Sequence, residues 1–199
     1  MTVTEWWTYG LSDFLMFSPQ VYWRLVARHN AAWWPWQALA LAAALALPVL
    51  LRARRPGAQR AALAVAALAW AWLGWAFHWR LYSEIFLAAP SVALACGLQA
   101  LLLAAAAGLP LRSREGAAPG PLGAILLAAA LLYPLLAPLT GHPWSEAEVF
   151  GFMPEPTALA TLGVLAGVRA WPAWSRWLLS VIPGASLLLG AATRWLIAQ

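Results

Sequence analysis

Residues 61–84 read AALAVAALAWAWLGWAFHWRLYSE. Over 61–77 no side chain is charged; at His78 the chain turns polar and passes through Arg80 and Ser83 to Glu84. Upstream stand Arg52, Arg54, Arg55 and Arg60 around Pro56-Gly57. An apolar run with arginines at one end and a histidine–carboxylate connection at the other is the pattern of a helix that crosses a bilayer. Further apolar runs lie on both sides, at 31–51, 85–109, 121–139, 157–168 and 174–197. The connections between them alternate in character. Arg52, Arg54, Arg55, Arg60, Arg112, Arg114, Arg169 and Arg176 fall in one set, with Glu115 as its single carboxylate. His29, His78, His142, Glu5, Asp13, Glu84, Glu146, Glu148 and Glu155 fall in the other, with Arg24, Arg28, Arg80 and Arg194.

Composition agrees with that reading. Of 199 residues 63% are hydrophobic and 10% charged, too few polar side chains to coat one soluble core. The expected fold is all-α: a polytopic transmembrane bundle of about six spans, each needing about 20 residues. The fifth, 157–168, is short or re-entrant. Residues 1–30 form an N-terminal aromatic, interfacial segment, and 31–199 form the bundle. Ser18-Pro19 reads as a helix start, after which Val21, Tyr22, Leu25 and Val26 line one face and Gln20, Arg24 and Arg28 the other. Pro134 predicts a bend in the fourth span and Pro183 a kink in the last.

The net charge of +5 comes from arginines alone, since lysine is absent. They sit in short turns between apolar runs, a positive-inside pattern and no nucleic-acid footprint. The bias places the chain in a bacterial cytoplasmic (inner) membrane with its N-terminus outside, and the histidine-bearing face is then the outer one. The first residues carry no signal-peptide pattern. Cys96 is the single cysteine, in an apolar run, and reads as a packing residue. Gln37 and Gln99 each open an Ala/Leu run ending in proline, with Arg52 and Arg114 at the same 62-residue offset. This suggests two parallel copies of one hairpin, a repeat known from transporters; chance alignment of Ala/Leu runs is the competing explanation.

Chemistry-bearing side chains concentrate in two outer connections. His78, Glu84, His142, Glu146 and Glu148 form an imidazole–carboxylate set suited to a divalent transition metal, should the hairpins bring them together. The alternative makes the histidines interfacial caps and leaves the glutamates solvated. Glu155, between Pro154 and Pro156, is a further candidate: a carboxylate at a helix start, or an ion site if the segment folds inward. Gln37, Gln99, Ser91, Tyr133, Thr161, Ser180 and Ser186 are the main polar residues of the spans; none is charged, which argues against a mid-membrane carboxylate relay. Three functions remain open: a small transporter or channel-like protein with an outer cation-recruiting vestibule, a non-catalytic accessory or scaffold subunit, and a membrane-embedded metalloenzyme. The expected partners are the lipid bilayer and a homo-oligomer or larger membrane complex.

Several ordered landmarks resemble a family of bacterial multipass proteins known as a domain of unknown function. They are Glu5-Trp6-Trp7-Thr8-Tyr9, Ser12-Asp13-Phe14, Phe17-Ser18-Pro19, Trp75-Ala76-Phe77-His78 with Tyr82, Ile85 and Ala88-Ala89-Pro90, Gly141-His142, Phe150-Gly151 and Pro154-Glu155-Pro156-Thr157. The resemblance implies a compact helical membrane protein and no particular activity. It also implies a cysteine where this chain has Glu155, so no thiol role carries over, and a further hydrophobic segment beyond the position of Gln199.

Overall fold

The computed structural model describes residues 18–53, 55–109, 120–168 and 173–197. Trp6, Trp7, Tyr9, Glu5, Asp13, Glu115, Arg54, Arg112, Arg114 and Arg169, on which parts of the sequence reading rest, lie outside the described residues. Every described regular element is helical.

Helix α1 (Pro19–Ala32) begins as its sequence predicts: Ser18 is extended and Pro19 supplies a preset φ in the first turn, although the Ser18 hydroxyl makes no cap bond. Its buried stripe is Tyr22, Leu25, Val26 and His29. Val21 points outward, so the apolar face is rotated from the one expected and carries a histidine inside. The chain then bends by 91° into α2 (Trp36–Arg52). Helix α3 (Pro56–Trp72) starts on Pro56 and runs on as a π-helix through Leu73–Trp79. A 3-10 turn at Tyr82–Glu84 leads to α4 (Ala89–Gly108). Helix α5 (Pro121–Leu132) tightens into a 3-10 turn at Tyr133–Leu135 before α6 (Leu136–Leu139), because Pro134 brings no N–H to the ladder. Helix α7 (Pro154–Gly167) and the long α8 (Ala173–Ile197), continuous through Pro183, complete the fold.

Four helical stretches are long and apolar enough to cross a membrane: Pro56–Glu84, Ala89–Gly108, Pro121–Leu139 and Trp174–Leu196; the α1–α2 pair makes up to five. This is fewer than the six expected. Helix α7 has 14 residues, about 21 Å of rise against a layer of about 30 Å, and is covered by neighbours over most of its circumference. Helix α2 has 17 residues and reaches a span's length only together with α1.

Polar and apolar side chains are distributed in the reverse of a soluble protein. Leu68, Leu101 and Leu188 are 72%, 70% and 75% exposed, whereas Gln99, Glu148 and Glu155 are 0%, 3% and 5% exposed. Only 11% of the α8 window is buried in the bundle. So much apolar exterior is stable against hydrocarbon and a liability in water. Small residues bring the helices together, as expected where lipid removes the hydrophobic drive between them. Helix α7 packs on α5, α8, α3 and α2, and α3 on α4. A Cβ at Gly163 would lie 2.8 Å from Leu127 Cγ and 3.1 Å from Gly123 O, so only glycine fits the α5–α7 crossing. Cys96 is buried against Gly74, the packing role its context predicts. The two glutamines of the candidate repeat are both buried but bond differently: Gln37 Nε2 donates to Asn30 O, Gln99 Nε2 to Leu179 O.

Candidate functional site

The connection before α7 folds into the bundle at two fixed points. At one, Asn30 Nδ2 on α1 donates to the carbonyls of Ser145 (2.8 Å) and Ala147 (2.9 Å). At the other, the Thr157 hydroxyl accepts from Gly151 N–H (2.7 Å) and donates to Met153 O (2.7 Å). Gly151 takes φ +77°, a conformation that suits glycine, with Ala69 directly beside it. Phe150, Phe152 and Met153 are buried as a result, and the backbone between the two fixed points carries Glu148 inward.

Glu148 there meets Arg194, from the last turn of α8. Arg194 Nη2 donates to Glu148 Oε2, and its Nε lies 3.7 Å from Glu155 Oε1. Tyr22 on α1 donates to Glu148 Oε1 at 3.3 Å. The guanidinium lies 5.4 Å from the ring centre of Tyr133 and 5.8 Å from that of Trp23, so two aromatic faces hold it in place. Glu155 stands in the first turn of α7, where the helix N-terminus favours a carboxylate, yet it is buried rather than solvated. Its Oε2 has no hydrogen-bond partner among the described residues. Gly190 of α8 makes room for it: a Cβ there would stand 2.3 Å from Glu155 Oε1.

One partly exposed arginine thus serves two buried carboxylates. With both glutamates ionised the centre would carry an uncompensated negative charge away from water, which is expensive. Burial pushes the Glu148 carboxyl above its ordinary range; the neighbouring Glu155 charge adds to the shift, while Arg194 and the Tyr22 hydrogen bond oppose it. The arrangement favours protonation of one of the two carboxylates.

Two small cavities flank the centre. One, of about 30 Å3, is lined by Glu155, His78, Tyr82, Ser186 and Thr193, and has room for a water molecule. His78 sits in the π-helical stretch, 2% exposed, with neither ring nitrogen bonded to a described residue. The other, of about 10 Å3, is lined by Glu146, Glu148, Thr140, Tyr133 and Arg194. Beyond it His142 Nδ1 pairs with Glu146 Oε2 at 2.7 Å, and the His142 ring stacks on Trp23 at 4.0 Å. Titratable groups therefore follow one another from the half-exposed His142–Glu146 pair, through Glu148, Arg194 and Glu155, to buried His78.

Of the residues expected to form one outer cluster, Glu148 and Glu155 are in the centre, and His78 borders it through the larger cavity. His142 and Glu146 form a pair near the surface. Glu84 is elsewhere, exposed and paired with Arg28 at 2.5 Å. Among the described residues no three His, Cys, Asp or Glu side chains are grouped to hold a metal ion. Arg194, Tyr22, Trp23 and Tyr133 were absent from the sequence-based set. Arg194 had a signal: it is a lone charge near the end of an apolar run, and ionisable residues in such positions are usually functional.

The chain belongs to a family of unknown function, DUF6064, whose model matches residues 19–197. No curated protein and no solved structure matches it.

Proposed function

We propose that this member of DUF6064 is an integral membrane protein that acts as a small proton-conducting, channel-like transporter, with Glu148, Arg194 and Glu155 as its proton-exchange site. The observation that carries the reading is one arginine shared by two buried carboxylates, bordered by a water-sized cavity. Buried ionisable groups inside a membrane bundle are costly and mark proton or ion pathways. Proton release would leave Glu148 and Glu155 competing for Arg194, and such competition is the kind of imbalance that couples protonation to a change in helix packing. Arg52, Arg55 and Arg60 lie at the α2–α3 turn, and Glu148 and Glu155 lie in the other set of connections. The positive-inside rule then puts the site towards the outer face of a bacterial cytoplasmic membrane.

The test is proton movement into liposomes reconstituted with the full chain and loaded with a pH-sensitive dye. Wild type should acidify the lumen under an imposed potential, and Glu155→Gln should lose at least nine-tenths of that rate. A wild-type rate equal to that of protein-free liposomes, or a Glu155→Gln rate equal to wild type, overturns the proposal.

An accessory subunit is the second reading. It is favoured by an apolar groove of about 770 Å3 on the α3–α4 face, whose lining includes the small residues Ala71, Gly97 and Ala104, of the kind that let a partner helix approach closely. Purification in mild detergent should then recover a stoichiometric partner, and a homogeneous lone protein that moves protons counts against it.

A further inference from the structure

One side of α3 forms a continuous track that changes character along its length. Val65, Leu68 and Trp72 line an apolar groove of about 520 Å3 between α2 and α3. On the same side, four residues per step, Ala76 and Arg80 line a polar pocket of about 310 Å3. The helical period explains the alignment, since residues 3 or 4 apart stack on one face. Trp33, at the bend between α1 and α2, lines both spaces and joins them.

The polar pocket is a built site. Arg28 and Glu84 within it neutralise each other at 2.5 Å. Arg80 makes no ion pair among the described residues; its guanidinium lies 5.2 Å from the ring centre of Trp75, which leaves the pocket with a net positive charge. His29 also lines it, 2% exposed, and its buried Nε2 has no partner among the described residues. Trp72 contributes a second orphan on the groove side, a buried indole N–H with no partner among the described residues. A cationic pocket continuous with an aromatic-walled apolar groove fits a ligand with an anionic head and a long apolar tail.

We propose that this track binds one anionic phospholipid, its phosphodiester at Arg80 and His29 and an acyl chain between α2 and α3. Lipid binding at this track requires the membrane setting but not the proton-exchange site, so either proposal can fail alone. A free phosphate compound satisfies only the head of the track, and an uncharged lipid only the groove. Planar, weakly hydrated arginine already stacked on an indole is well placed to meet a phosphate.

Native mass spectrometry of the full chain, released from mild detergent with added lipid, reads the occupancy. Phosphatidylglycerol should be retained at one per chain. Diacylglycerol, glycerol phosphate and phosphatidylethanolamine should each be retained at least several-fold less. Arg80→Gln should weaken phosphatidylglycerol binding about tenfold, the effect of one charge-assisted hydrogen bond. Ala43→Phe, a lipid-facing substitution that fills the groove, should weaken it similarly while leaving proton movement unchanged. Unchanged retention in both variants overturns the proposal. So does retention of diacylglycerol or phosphatidylethanolamine equal to that of phosphatidylglycerol, or saturation by glycerol phosphate alone.

Discussion

Replacing Arg194 by glutamine removes the cation that Glu148 and Glu155 share while keeping most of the side chain's volume. Breaking a buried ion pair from one side typically costs about 3–5 kcal/mol, because the abandoned charge stays buried. Here two carboxylates are abandoned, but each can take up a proton, so the loss near neutral pH should fall at the lower end, about 3 kcal/mol. For a chain of this size that lowers the apparent melting temperature by roughly 6–12 °C. The assay is thermal unfolding in detergent, followed by the fluorescence of the 15 tryptophans. Acidification should narrow the gap to wild type as the carboxylates neutralise. Glu148→Gln/Arg194→Gln should recover at least about 1 kcal/mol over Arg194→Gln alone, since removing both partners leaves one charge fewer without compensation. An Arg194→Gln protein that melts within about 1 °C of wild type would refute the reasoning. So would a double variant no more stable than the single one.

Three further outcomes follow from the same geometry. Gly190→Ala should destabilise by about 1–3 kcal/mol in the same melting assay, because its Cβ would occupy space held by Glu155 Oε1. Wild-type stability should fall as pH rises: the folded Glu148 carboxyl titrates above its unfolded value of 4.5, so the folded state holds the proton more tightly, and that advantage is lost through the raised folded value. A melting temperature that rises steadily with pH over the same interval contradicts this. Asn30→Ala should release the 140–153 connection by removing two hydrogen bonds, at about 1–3 kcal/mol, and should speed proteolysis between Gly141 and Glu146 well above the wild-type rate.

Much of the architecture was legible in the order of residues. Pro19 and Pro121 mark helix starts that the structure retains, whereas the helices expected from 61 and 157 begin earlier, at Pro56 and Pro154. The shortness of 157–168 was visible as well, and α7 is indeed short. Hydropathy could not tell that this short helix is the most enclosed, because small residues such as Gly163 and Ala160 carry little hydropathy signal about which neighbours they admit. The site was only half legible. Glu148 and Glu155 were chosen for their residue type and address. Their partner is 46 residues from Glu148, at the far end of another helix, and no local spacing connects them. The inward turn of the connection depends on Asn30, 115 residues from Ser145, so the contacts that bury Glu148 are tertiary. Counting carboxylates inside apolar runs could not find these two, because Glu148 enters on a folded-in loop and Glu155 in a first helical turn.

The proposed exchange site requires that one of Glu148 and Glu155 is protonated, because one arginine cannot serve both. Infrared spectroscopy of the full chain in lipid reports it through the stretching band of a protonated carboxyl. At neutral pH wild type should show one such buried carboxyl. Glu148→Gln and Glu155→Gln should each lose it, because the remaining glutamate then has Arg194 to itself and ionises. A wild-type spectrum without a protonated-carboxyl band, or a band that persists unchanged in both variants, would contradict the account.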